Sequence, residues 1–157
     1  MKLALPDAAT TEHAGAMLAP HLAGGMVVTL DGDLGAGKTT LVRGLLRARG
    51  VQGPIKSPTF DLVEHYPLSS IYFYHIDLYR FTGAEEWEAS GLAECMRNDS
   101  TCIVEWPERV GALLPPPDVA LHLAWPLRGD GRVLAVEARG AAGERCRDAL
   151  IRAFPRA

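Results

Sequence analysis

The sequence has little cysteine, little lysine and no long apolar run, and each shortage excludes something. Cys95, Cys102 and Cys146 are odd in number and contain no C-x-x-C pair. That excludes a disulfide framework or a paired zinc-ligand spacing and predicts reduced, buried thiols. No stretch approaches the ~20 apolar residues of a membrane span. The amino end reads Lys2, Leu3, Ala4, Leu5, Pro6, Asp7, which falls short of the ~7–15-residue apolar region of a secretory signal. A cytoplasmic location with no membrane partner is the expectation. Three lysines stand beside thirteen arginines, and 16 basic against 19 acidic residues leave a net charge of −3, which argues against a general nucleic-acid binder. Basic excess is confined to residues 128–157, where Glu137, Glu144 and Asp148 are interleaved with the arginines. That pattern favours a solvated helix face over the alternative, a tail that touches phosphate or an acidic partner.

What is present is a chain of 157 residues, 48% hydrophobic and 22% charged. This suits a single globular domain over 1–157 with a core that needs no staple. Ala14, Met17, Leu18 and Leu22 recur at helical spacing, with Thr10 or Thr11 as the expected N-cap and Gly24-Gly25 as the stop. Residues 26–30 form a continuous apolar run ending in Asp31, the signature of a strand buried on both faces. A Gly-rich turn follows, then a helix over 38–49 with Leu41, Val42, Leu45 and Leu46 inward and Gly50 behind it. Strands are predicted over 60–65 and 71–76, paired antiparallel through a short connection. Thr82 is the expected cap of an acidic helix through Glu85, Glu86 and Glu88, and a short helical piece covers 92–96. A buried strand over 101–104 ends in Glu105. Strands at 119–124 and 133–138 precede a final helix with Cys146, Leu150 and Phe154 on one face. Pro115-Pro116-Pro117 reads as a rigid internal connection.

Gly32-Asp33-Leu34-Gly35-Ala36-Gly37-Lys38-Thr39 fits G-x-x-x-x-G-K-[ST] without a mismatch, between a predicted buried strand and a predicted helix. Glycines let the backbone curl with its N–H groups inward, so that Asp33, Leu34, Gly35, Ala36, Gly37, Lys38, Thr39 and Thr40 form the expected phosphate contacts of ATP. Lys38 is placed to meet the outer phosphates, and Thr39 to offer its hydroxyl to Mg²⁺. The bland alternative, a glycine turn that only joins strand to helix, loses ground because both flanks fit the motif.

Phosphoryl chemistry also needs a carboxylate near the metal and a group that orients the attacking oxygen. Asp77 and Glu105 each follow an apolar run, at the carboxyl ends of predicted strands where open α/β sheets place their ligands. Both are candidate Mg²⁺ or water-positioning groups; the alternatives are a turn cap for Asp77 and a surface salt bridge for Glu105. In Ser57-Pro58-Thr59-Phe60 the proline holds Ser57 extended. Thr59 sits where a switch segment would feel a γ-phosphate, although a plain turn fits too. His75 suits a structural hydrogen bond, and Arg80 a pairing with Asp77 or phosphate. No N-K-x-D sequence is present, which weighs against a GTPase.

Four blocks, GDLGAGKTT (32–40), SPTF (57–60), YHIDLYR (74–80) and EWP (105–107), resemble the TsaE (YjeE) family in kind and order. The resemblance implies a three-layer P-loop NTPase fold with a mixed, mainly parallel sheet and antiparallel edge strands. It also implies a small bacterial ATPase needed for N6-threonylcarbamoyladenosine (t6A) at position 37 of tRNAs that read codons beginning with A. Members act with TsaB and TsaD, the latter being the transferase, so tRNA would be met only through that complex. Carried onto this chain, the resemblance makes Lys38 and Thr39 the phosphate and Mg²⁺ contacts. Glu105 becomes a metal or water-positioning acid, Asp77 a catalytic carboxylate and Trp106 a tryptophan beside the nucleotide. A core or lid-packing indole is the alternative for Trp106, and Phe60 stands where many members have Tyr. Two other classes remain open: a small-molecule or nucleoside kinase, for which Arg128 and Arg132 are the only loop candidates for a lid, and a nucleotide-gated binding protein with negligible turnover.

Overall fold

The structure, a computed structural model, describes every residue except Thr59. In chain order the elements are β1 (Lys2–Leu5), α1 (Ala8–Leu18), β2 (Val27–Asp31), α2 (Lys38–Ala48), β3 (Val63–Pro67), β4 (Tyr72–Asp77), α3 (Ala84–Ser90), β5 (Ser100–Glu105), β6 (Val119–Ala124), β7 (Arg132–Ala138) and α4 (Gly140–Ala153). They build one seven-stranded sheet in the order β1-β7-β6-β2-β5-β4-β3. Its centre, β4-β5-β2-β6, is parallel, and antiparallel pairings at β3, β7 and β1 complete both edges. The expected layered α/β architecture with antiparallel edges is therefore present. Parallel pairing puts the carboxyl ends of β2, β4 and β5 side by side, so the loops that follow them share one end of the sheet.

Strand alternation divides the core in two. Leu30, Phe73 and Ile103 pack with α1, α2 and α4 residues such as Leu18, Leu41, Leu45 and Leu150. Ile76, Cys102 and Val104 pack on the opposite face beneath Trp87, Leu92 and Val110. His75, Asp77 and Glu105 are in phase with Phe73 and Ile103, which assigns them to the face that carries α2.

Several local expectations shift. Lys2–Leu5 is a strand that sequence reading passes over; it pairs with β7 on one side and takes Pro155 and Ala157 main-chain bonds on the other. Helix α1 is capped by Asp7 rather than by Thr10 or Thr11. The Asp7 carboxylate accepts from both the Thr10 hydroxyl and the Thr10 N–H, and these bonds hold it below the usual carboxylate range. Gly83 takes the N-cap place expected of Thr82, whose hydroxyl donates instead to Glu86. Strand β3 begins at Val63 because Leu62 is left-handed, with φ of 65°, and so breaks the ladder. All three cysteines are free thiols. Burial pushes Cys102 up to about 12 and Cys146 up to about 11, whereas Cys95 is only half-buried. Among the described residues no helix is long and apolar enough to cross a membrane.

The helix that follows the Gly-rich turn is held by a close crossing with α1. A Cβ at Gly44 would lie 1.8 Å from the Glu12 carbonyl oxygen, and one at Gly15 would lie 1.9 Å from that of Leu41. Backbone packs on backbone here, so no side chain can swing aside. Alanine favours a helix by about 1 kcal/mol over glycine, yet overpacking of this kind costs about 1–3 kcal/mol or more. Gly44→Ala is therefore expected to lower unfolding stability in urea, and a variant as stable as the parent would contradict the crossing.

Candidate active site

The turn between β2 and α2 has the shape its glycines permit. Gly32, Gly35 and Gly37 have φ of 139°, 79° and 106°, a region closed to most side chains. A Cβ on Gly35 would meet nothing within 4 Å, so the loop surrounds open space. Gly37 stands at the N-cap of α2 without a side-chain cap, and no acid occupies the first turn. The amino-terminal N–H groups and the positive end of the helix are thus left for a ligand anion. Asp33 exposes its side chain and lends its carbonyl to the Ala36 N–H at 3.0 Å and to Lys38 Nζ at 3.1 Å. Ala36 is buried and anchors the loop, while Leu34 stands exposed at the rim. Lys38 is 7% exposed; its ammonium also donates to the Gly32 carbonyl and lies 4.6 Å from the centre of the Trp106 ring.

Asp77 and Glu105 are register partners on neighbouring parallel strands, 3% and 2% exposed. Asp77 Oδ1 accepts the Tyr79 N–H at 2.8 Å, so the turn-cap role coexists with its place in the site. The Ser57 hydroxyl lies between the two acids, 2.9 Å from Asp77 Oδ2 and 3.3 Å from Glu105 Oε2. Glu105 makes no surface salt bridge. It is buried, its Oε1 has no hydrogen-bond partner among the described residues, and His75 Nε2 stands 3.5 Å from its Oε2. An orphaned carboxylate oxygen beside a second carboxylate fits a hard cation, which prefers oxygen donors.

Trp106 is left-handed, with φ of 57°, a conformation unusual for a bulky residue and common at functional sites. Pro107 disfavours the right-handed helical alternative at this position. The indole thereby turns toward Lys38 and packs against Tyr79, ring centres 5.0 Å apart. It is half-exposed at the cleft rather than a core indole.

These groups line one cleft of about 350 Å³, with Leu34, Gly35, Gly37, Thr39 and Thr40 on one wall and Ser57, Asp77, Glu105 and Trp106 on the other. A second hollow of about 220 Å³ shares Gly35, Gly37 and Thr40 and continues between Asp7, Thr11 and Arg132. Of the residues singled out from sequence, Thr59 lies outside the described ones. Arg80 stacks on Phe60, 4.4 Å from the ring centre. Arg132 does not face the phosphate-side cleft: its guanidinium donates to the Ala36 carbonyl at 2.8 Å and the Gly35 carbonyl at 3.1 Å and packs on Trp125. Sequence reading missed Ser57, Tyr79 and this loop-bracing role of Arg132. The SPTF block was the only signal for Ser57, and nothing local marked Arg132.

Comparison with known proteins accords with the resemblance. Residues 5–131 match the profile of the family described as "Threonylcarbamoyl adenosine biosynthesis protein TsaE". The chain is 44% identical over 107 residues to the tRNA threonylcarbamoyladenosine biosynthesis protein TsaE of Haemophilus influenzae, covering 68% of each. It is 37% identical over 123 residues to that of Treponema pallidum, covering 78% of this chain and 90% of the relative. A crystal structure of Bacillus subtilis YdiB superposes with a TM-score of 0.80 at 27% identity, over 98% of this chain and 95% of that one. By this profile match and these identities, and with the loop and fold to go with them, the chain belongs to the TsaE family.

Proposed function

We propose that this protein is a Mg²⁺-dependent ATPase that serves t6A modification of tRNA through nucleotide-dependent association with TsaB and TsaD, meeting tRNA only through that complex. The observation that carries the reading is the convergence of Lys38, Asp77 and Glu105 on one cleft beside an uncapped helix amino end. Phosphates enter over Gly35–Gly37, where main-chain N–H groups donate to their oxygens. The Lys38 ammonium exchanges the carbonyls of Gly32 and Asp33 for phosphate oxygens, because a charge-assisted bond to an anion outweighs one to a neutral carbonyl. The nucleoside continues into the hollow between Asp7 and Arg132, which shares three loop residues with the phosphate side.

Glu105 Oε1 and the Thr39 hydroxyl are the groups that would hold Mg²⁺, whose role there is to neutralise phosphate charge. Asp77, tied to the Tyr79 N–H and the Ser57 hydroxyl, is a fixed acceptor for the attacking water. Trp106 closes the cleft above Lys38 and limits the solvent that would screen it. Thr59 is assigned the switch role for its place in the chain, two residues beyond Ser57. The kinase alternative is weakened by Arg132, which braces the loop from behind instead of lying over an acceptor pocket.

Two outcomes follow for purified protein assayed by phosphate release. Lys38→Ala removes the cation that meets phosphates gaining charge during transfer, so turnover is expected to fall by about 100-fold or more with the melting temperature retained. Unchanged hydrolysis in the folded variant would remove Lys38 from the site. Asp77→Asn and Glu105→Gln are each expected to lose turnover more than nucleotide affinity, with the double variant little worse than either single, since they serve one metal–water unit. Additive losses would place the two acids in separate roles.

A further inference from the structure

Among the described residues, both ring nitrogens of His75 and Oε1 of Glu105 are buried without a hydrogen-bond partner. Buried polar atoms are nearly always partnered, so a buried imidazole without a protein partner points to the groups beside it. His75 is 1% exposed and lies beside the apolar ring of Phe73 in the strand phase. Its Nε2 lies 3.5 Å from Glu105 Oε2. That separation exceeds a hydrogen bond of about 2.7–3.2 Å by a few tenths of an ångström. Ser57 Oγ approaches the same oxygen at 3.3 Å. His75 Nε2 and Ser57 Oγ therefore both stand near Oε2, whereas Oε1 has no hydrogen-bond partner among the described residues on a carboxylate that lines the cleft.

We propose that His75 is a positioning residue for Glu105: its Nε2–H secures Oε2 so that Oε1 is the oxygen presented to the Mg²⁺ of a bound nucleotide. In this arrangement Nε2 is the ring nitrogen that donates. The inference rests on the reading of the cleft as a Mg²⁺-nucleotide site. It separates function from stability in a way a packing role does not. Replacing a buried ring whose nitrogens make no hydrogen bond by an apolar side chain removes the cost of burying those nitrogens, whereas loss of a partner that orients a metal ligand weakens metal binding about 10–100-fold.

The test is calorimetric titration of the full-length protein with ADP, at Mg²⁺ concentrations from zero to saturation, alongside melting temperatures. His75→Leu is expected to melt at or above the parent and to bind ADP normally without Mg²⁺. Its Mg²⁺ concentration for half-maximal tightening should rise about 10–100-fold. His75→Gln, whose amide can place an N–H near the position of Nε2, is expected to return within a few-fold of the parent. His75→Phe serves as a second apolar replacement should the leucine variant not fold. An apolar variant with the parent's Mg²⁺ titration, or a glutamine variant no better than the apolar one, would overturn the assignment. A parent protein whose ADP binding ignores Mg²⁺ would overturn the reading of the cleft itself, and this inference with it.

Discussion

Two carboxylates buried side by side at the ends of adjacent parallel strands are the constraint on which the site depends. Asp77 and Glu105 are paired in register, almost wholly removed from solvent, and within reach of a single serine hydroxyl. Charges taken out of water cost several kcal/mol each unless something compensates them. Part of the compensation is local: the Tyr79 N–H and Ser57 Oγ serve Asp77. Lys38, equally buried, donates to its own loop carbonyls instead. A cleft so arranged favours a divalent cation and rewards the movement of Lys38 toward an incoming anion, and on the proposed reading Mg²⁺-nucleotide supplies both.

The scaffold explains how such an arrangement persists. β5 is bonded to both β2 and β4 and Ile76, Asp77, Val104 and Glu105 at the strand ends are buried, so the carboxyl ends cannot drift apart without breaking the centre of the sheet. Helix α2 is locked to α1 through backbone contact at Gly15 and Gly44, which fixes the amino end that faces the cleft. Arg132 reaches across from β7 to hold the Gly35 and Ala36 carbonyls, so the far sheet edge also steadies the loop. The strained Trp106 backbone is paid for by this rigid frame.

Much of this was legible in the sequence where the signal is local. The loop, the helix over 38–48 and the central strands stand out because continuous apolar runs and a fixed glycine spacing are properties of neighbouring residues. Asp77 and Glu105 could be named because each ends such a run. Lys2–Leu5 was not legible, since four residues before a proline carry too little alternation and owe their strand to β7 and to the chain end. Ser57, His75 and Arg132 were equally hidden in role: their partners lie 20 or more residues away, and only the folded chain brings them together. The Asp7 cap was obscured by two threonines with cap propensity, of which Thr10 donates to the Asp7 carboxylate and Thr11 to the Asp7 carbonyl.

The central claim is that this cleft hydrolyses ATP in step with partner association. It is tested most directly by titrating the TsaB–TsaD complex into the protein with γ-labelled ATP while following the fate of the label, and by comparing affinities with ADP and with a non-hydrolysable ATP analogue. The account predicts that label appears as free phosphate, slowly for the protein alone and faster with partners, and that the two nucleotides give different affinities. Equal affinity in both nucleotide states with an unstimulated rate, or label recovered on a small-molecule acceptor, would contradict it.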